Sequence, residues 1–315
     1  MNGNDPSAAT PPTGPARWQR IVARAADLGG GLMIARALPS ARRRTVGAWC
    51  FLDHAGPAQF PPGTGMRVGP HPHIGLQTFT WMIEGQALHR DSLGNEQVIR
   101  PGQVNLMTAG RGIAHSEESL GETGTVHAAQ LWIALPEAQR QCEPAFVHHP
   151  ELPIATAGGF RITVLAGSAL DQESPVRLHS ELLGLDLVAS AAGRARLPLR
   201  PRFEHALLCL RGAARVDDEL LEPGALLFAA TGRTQVELSC DAAAHLLLIG
   251  GVPFDEPLLI WWNFVARTQA EIERAAADWN AGRHFGDVPG TRLPRVPAPD
   301  ITGVRLRARS NDDAP

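Results

Sequence analysis

The sequence predicts an all-β fold in two similar halves, closed by a single C-terminal helix. Three observations carry this reading. Short apolar runs cut by Gly, Pro and Asp turns recur from about Val22 to Leu135, and again from Phe160 to Gly251, as strands joined by tight turns do. The two stretches share an internal order of motifs. Beyond them the apolar spacing switches to a helical period. At 315 residues, 44% of them hydrophobic, the chain suits two domains of ordinary size better than one. Its 32 glycines and 26 prolines are dispersed, which favours many short elements.

In the first half, "LGGGLMIARALP", "AWCFLDHAG", "LQTFTWMIEG", "VIRPGQVNLMTAG" and "VHAAQLWIALP" each read as a strand with its turn. Pro136 to Pro153 is polar and bracketed by proline, so it reads as a connector. The second half repeats the first. "MIEG" ending at Gly85 leads to "PGQVNLMTAGR", and "CLRG" ending at Gly212 leads to "PGALLFAATGR". In both, the glycine of the PG turn (Gly102, Gly224) is followed by another eight positions on (Gly110, Gly232), which points to duplication. "RTQAEIERAAADWNAG" then reads as a helix. Thr268 and Glu271 form a capping box, Ile272, Ala275, Ala276 and Trp279 share a face, and Gly282 is the stop. Trp261, Trp262 and Phe264 precede it and are expected to bury it against a barrel. The expected domains are a tail at 1–15, an N-terminal domain at 16–140, a C-terminal domain with the helix at 141–290, and a flexible tail at 291–315.

Composition narrows the function classes. The net charge is −3 and all 29 basic residues are arginine. The run Arg42–Arg44 is the only dense basic cluster, so direct nucleic-acid binding is unsupported. No apolar stretch approaches the ~20 residues that span a bilayer, and the N-terminus lacks the apolar core of a signal peptide. Cys50, Cys142, Cys209 and Cys240 are scattered without a CxxC pair, which suits free thiols in the cytoplasm.

The segment Gly69 to Gly85, "GPHPHIGLQTFTWMIEG", carries the chemistry. Strand alternation places His71 and His73 on one side and Pro72 on the other. Carried onward, the same parity places Gly75, Gln77, Phe79, Trp81 and Ile83 with the histidines. Imidazoles facing an apolar interior need partners, and a metal is one way to supply them. Hydrogen bonding at a strand end is the other reading of an HxH pair. His115 and Glu117 in "TAGRGIAHSEES" form a second same-face pair. Three imidazoles and a carboxylate suit one divalent first-row ion with open positions, iron first, with Mn, Ni, Cu and Zn as alternatives. The absence of a thiolate argues against a closed structural zinc site.

Gly65, His71-x-His73 and Gln77 reproduce the spacing of the first cupin motif, with Gln77 in place of its usual glutamate. "HPHIGLQTFTWMIEG" followed by "PGQVNLMTAGRGIAHSE" resembles the signature of the pirin family. The four residues between Gly110 and His115 depart from the general cupin form and match the pirin one. "VGAWCFLDHAGP", "AQLWIALP" and the C-terminal helix extend the resemblance over most of the chain. It implies two tandem cupin barrels of jelly-roll type with a C-terminal α-helix. It also implies one Fe(II) held in the first barrel by His71, His73, His115 and Glu117. "RPRFEHALLCLRG" retains only His205 near the matching place of the second barrel, which is expected to be hydrogen-bonded and to hold no metal.

Two functions follow from the resemblance. One is a quercetin 2,3-dioxygenase-like enzyme that opens a flavonol with O2, in which a Lewis-acid metal lowers the pKa of the 3-hydroxyl and Glu117 takes its proton. The other is an iron-dependent regulator that binds a transcription factor or metabolic enzyme without turnover. An open apolar pocket at His71 would favour the enzyme, and a closed site under a charged face the regulator. Substrate contacts are expected from His54, in the segment that approaches the pocket in pirins, and from Gln77 and Trp81, with Met107 and Trp132 as further lining. For each of these a structural role is the competing reading.

Overall fold

The structure, a computed structural model, describes residues 17–27, 33–61, 64–120, 124–308 and 311. The expected tail at 1–15 lies outside the described residues. Strands dominate, and the two halves repeat one plan. Each half has one seven-stranded and one four-stranded antiparallel sheet. In the first half Leu76–Gly85 lies between Val104–Thr108 and Thr125–Ala134; in the second, Glu204–Arg211 lies between Ala225–Ala229 and Ala244–Gly251. These are the strands that the repeated glycine motifs flank.

The two seven-stranded sheets bury their outer faces against each other. Leu38, Leu52, Phe79, Trp81 and Leu131 from one half share a single cluster with Leu165, Leu208, Leu247 and Ile249 from the other. Polar groups cross this interface in satisfied pairs: Trp49 Nε1 donates to the Gly250 carbonyl at 3.1 Å and Trp81 Nε1 to Asp186 Oδ1 at 3.0 Å. Arg43 pairs with Glu204, whose other oxygen accepts from the Gly47 amide at 2.8 Å.

The halves do not divide where the sequence suggests. Gln19–Val22 pairs with Ala225–Ala229 and so belongs to the second large sheet. The expected connector contains a strand, Ala145–His149, which pairs with Val104–Thr108 and completes the first large sheet. Each barrel therefore takes an edge strand from beyond the expected boundary at 140/141. Neither strand is strongly apolar, because each is exposed on one side.

The helix Gln269–Asn280 starts at the expected capping box, with Thr268 Oγ1 accepting from the Glu271 amide and Glu271 from the Thr268 amide. It is counted by sequence with the second barrel but packs on the first. Ile272, Ala275, Ala276 and Trp279 cluster with Ala114, Phe264 and Phe285. The expected flexible tail at 291–315 also requires correction over its described part. Val296 donates to the Pro70 carbonyl at 2.9 Å and accepts from Trp279 Nε1 at 2.7 Å, while Asn280 holds Ala298 through hydrogen bonds of 2.8 and 3.1 Å.

Inside the second barrel, Phe160, Phe203, Leu207 and Leu246 form an apolar core. His205 sits there fully buried, and neither ring nitrogen has a hydrogen-bond partner, contrary to expectation. Burial, aided by Arg233, pushes its pKa down to about 4.

Two predictions follow from this packing. Ending the chain after Gly290 removes the partners of Trp279 and Asn280 and should cost about 3 kcal/mol or more, whereas ending it after Asp300 keeps them and should cost about 1 kcal/mol or less. Chemical denaturation of both truncations measures this, and equal stability would disprove the bracing role. The second concerns pH. His205 is neutral in the folded protein and takes a proton near its ordinary value when unfolded. Its contribution is therefore intact above about 6.5 and is lost as pH falls towards about 4. His205→Leu should reduce the stability lost between pH 7.5 and 5 by about 2 kcal/mol. An unchanged pH slope would show that the ring is solvated or paired.

Candidate metal centre

His71 and His73 end the strand Arg67–His73 of the first four-stranded sheet, and His115 lies directly opposite His71 on Ile113–Ser119. All three are buried. One ring nitrogen from each lies within 4.8 Å of the others. The pairing shifts register between His115 and Glu117, yet both side chains face the same cavity. Glu117 comes within 4.8 Å of His115 and of His89, a histidine on the neighbouring strand Ala87–Asp91. The sequence reading missed His89; the only signal was its position two residues before Asp91.

The hydrogen bonds indicate which nitrogens are free. His71 Nδ1 donates to the Gly69 carbonyl and His73 Nδ1 to the Asn263 carbonyl, each at 2.9 Å, and a carbonyl can only accept. Both rings therefore carry their proton on Nδ1 and leave Nε2 bare. Bare His73 Nε2 lies 3.0 Å from His115 Nε2. About 3 Å is also the separation of two imidazoles bound at right angles to one ion at about 2.1 Å. Desolvation holds His71 at about 4 and His73 and His115 well below their ordinary range, with the neighbouring histidines adding to it. The rings are therefore neutral, the form that ligates a metal. Burial raises the Glu117 carboxyl pKa. These residues fit a divalent cation.

An open cavity of about 550 Å³ leads from this cluster to the surface. Phe51 and Trp132 stack along it with ring centroids 4.1 Å apart, and Trp132 sets its edge against His73. A polar patch adjoins this pair, with the Arg36 guanidinium 4.4 Å over the Phe51 ring. Arg36 grips Asp53 with two hydrogen bonds of 2.8 and 2.7 Å, and Gln130 accepts from Thr80 at 2.8 Å. Burial raises the Asp53 carboxyl despite Arg36. Trp262, Asn263 and Val296 reach this cavity from the far end of the sequence.

The three expected substrate contacts are not among the cavity-lining residues. Strand parity is broken at Gly75, which adopts a left-handed φ of +69° where the chain leaves one sheet for the other. A side chain there would strike the Val265 carbonyl. Alternation restarts at Leu76, so Thr78 faces the cavity, while Gln77 bonds Thr108 at 2.9 Å and Trp81 enters the interface between barrels. His54 also faces that interface, sharing a 2.8 Å hydrogen bond with His127, and its neighbours Phe51 and Asp53 line the cavity instead. Met107 belongs to the core beneath. Trp132 lines the cavity as expected.

Two barrels of this topology, with a histidine cluster at the mouth of the first, define a bicupin. Residues 31–133 match the pirin family model and residues 184–286 the model of the pirin C-terminal cupin domain. The chain is 54% identical over 284 residues to a Pseudomonas aeruginosa protein named "Putative quercetin 2,3-dioxygenase", covering 90% of each chain. It is 40% identical over 269 residues to a pirin-like protein of Caulobacter vibrioides, covering 83% of this chain and 92% of that one. A crystal structure of quercetin 2,3-dioxygenase from Acinetobacter baumannii superimposes with a TM-score of 0.90 at 48% identity, covering 92% and 97% of the two chains. The chain belongs to the pirin family.

If the cluster binds an ion, the folded state gains about 2.7 kcal/mol at a free metal concentration 100 times the Kd. Thermal melts of the metal-free protein with and without added Fe(II) or Zn(II) should show that gain in the wild type and little of it in His73→Ala. Equal gains in both would exclude this cluster as the site.

Proposed function

We propose that this pirin is a metal-dependent dioxygenase that opens a flavonol-like aromatic substrate with O2. The observation that carries this reading is the open cavity running from the three imidazoles past a stacked aromatic pair. A closed site would have favoured the regulatory alternative. One divalent ion, Fe(II) first, with Mn, Ni, Cu and Zn as alternatives, would be held by His71, His73, His115 and Glu117. When bound it would supply Lewis acidity towards the substrate hydroxyl and a site for O2 chemistry. The names of the Pseudomonas and Acinetobacter relatives support the same reaction class.

The protein's own groups fit that task. Phe51 and Trp132 offer a flat apolar wall to a fused ring. Arg36, Asp53 and Gln130 offer hydrogen bonds to the substrate's hydroxyls, and the cavity is within the usual size for a small-molecule site. Glu117 lines the same cavity, and its desolvated carboxylate accepts a proton more readily than one in water. Among the described residues no helix is long and apolar enough to cross a membrane. All four cysteines are free thiols, which supports a cytoplasmic location.

Glu117→Gln tests the role given to this carboxylate. It keeps a nearly isosteric oxygen beside three intact imidazoles, so metal content should fall only modestly. Quercetin-dependent O2 uptake should fall by ~100-fold or more with the base removed. His115→Ala should lower metal and turnover together. Wild-type turnover by Glu117→Gln at full metal content would remove Glu117 as base. A metal-loaded wild type that consumes no O2 with any flavonol would count against the enzyme reading.

A further inference from the structure

We infer that His89, braced by Asp91, is a positioning residue that fixes the ring and proton of the metal ligand His115. The inference rests on the metal reading above and concerns a pair of side chains beyond the four expected ligands.

Asp91 is fully buried and closes its own turn, with Oδ1 accepting from the Leu93 and Asn95 amides at 3.0 and 3.1 Å. Its Oδ2 accepts from Asn95 Nδ2 at 2.9 Å and lies 3.1 Å from His89 Nε2. A carboxylate so placed accepts only, so Nε2 of His89 carries the proton and its Nδ1 is a bare lone pair. That lone pair lies 3.3 Å from His115 Nδ1. His115 has one proton and two bare lone pairs in reach, His73 Nε2 at 3.0 Å and His89 Nδ1 at 3.3 Å. With a cation on the Nε2 side, that proton belongs on Nδ1, donated to His89. His115 Nε2 is then bare and faces the bare Nε2 of His73 at 3.0 Å.

All three imidazoles thus donate from Nδ1 and present Nε2. For His71 and His73 the acceptors are backbone carbonyls; for His115 it is a second histidine. The difference has a geometric cause. His115 lies mid-strand beside Ala87–Asp91, whose backbone is engaged in pairing, so a side chain must supply the acceptor. The His89 ring cannot swing away, because it stacks on Phe146 at 4.3 Å between centroids with planes 11° apart. Phe146 comes from the strand beyond the expected domain boundary. Outer partners of this kind orient a ligand and raise its basicity, and losing one costs about 10- to 100-fold in metal affinity. His89, His115 and Glu117 also form a compact trio. For His89 to ligate, however, its Nδ1 would have to give up the proton that His115 donates.

The test uses the full chain with Co(II) as probe. Affinity and stoichiometry come from chelator competition, coordination from the visible absorption intensity, and the ligand N–H protons from their hyperfine-shifted proton resonances. The wild type should bind one Co(II) per chain and show three exchangeable imidazole N–H signals, one for each Nδ1 donor. His89→Leu should bind about 10- to 100-fold more weakly, with stoichiometry and absorption unchanged and one N–H signal displaced or lost to solvent exchange. His89→Gln, whose amide can face both neighbours, should recover most of the affinity and the third signal. An affinity within about twofold of wild type in His89→Leu, with all three signals in place, would overturn the inference. So would a changed absorption or a second bound ion in the wild type, either of which would make His89 a ligand. A wild type that binds no Co(II) would instead sink the metal reading itself.

Discussion

The central strands of each large sheet are buried on both faces, and the rest of the architecture depends on that constraint. One face lines its own barrel and the other packs on the opposite barrel, so Phe79, Trp81 and Leu131 meet Leu208, Leu247 and Ile249. A strand buried twice has no solvent side on which to leave a polar group unpaired. The pairs at this interface follow accordingly: Trp49 to the Gly250 carbonyl and Trp81 to Asp186. The small sheets carry the opposite assignment. In the first barrel that sheet supplies His71, His73, His115 and Glu117, so the candidate ligands are kept away from the face that holds the halves together.

The same constraint shapes the two ends of the chain. Each barrel completes its large sheet with a strand from beyond the expected boundary, and the segment after the second barrel returns to brace the first. That return is part of the site. The Asn263 carbonyl sets the tautomer of His73, Trp262 and Val296 line the cavity, and Phe146 holds His89 flat. The first barrel therefore owes the geometry of its histidine cluster to residues scattered over most of the sequence. Its duplicate keeps the topology with an apolar interior in which His205 is buried without a partner.

Much of this was legible in the sequence because it depends on local rules. Turn glycines and two-residue alternation gave the strands and the repeat, and the capping box gave the helix start. Two same-face pairs, His71 with His73 and His115 with Glu117, gave the candidate ligands, because alternation holds within an unbroken strand. The resemblance carried by those motifs gave the family.

What only the tertiary structure decided begins at Gly75. There the chain changes sheet, alternation restarts, and Gln77 and Trp81 turn away from the cavity while Thr78 turns towards it. The exchange of Gln19–Val22 and Ala145–His149, the return of the C-terminal segment and the pairing of His89 with His115 were equally invisible. Local periodicity fixes which way a side chain points along one strand. Which element lies on the other side of it is set by contacts between residues far apart in sequence, and no local pattern records them.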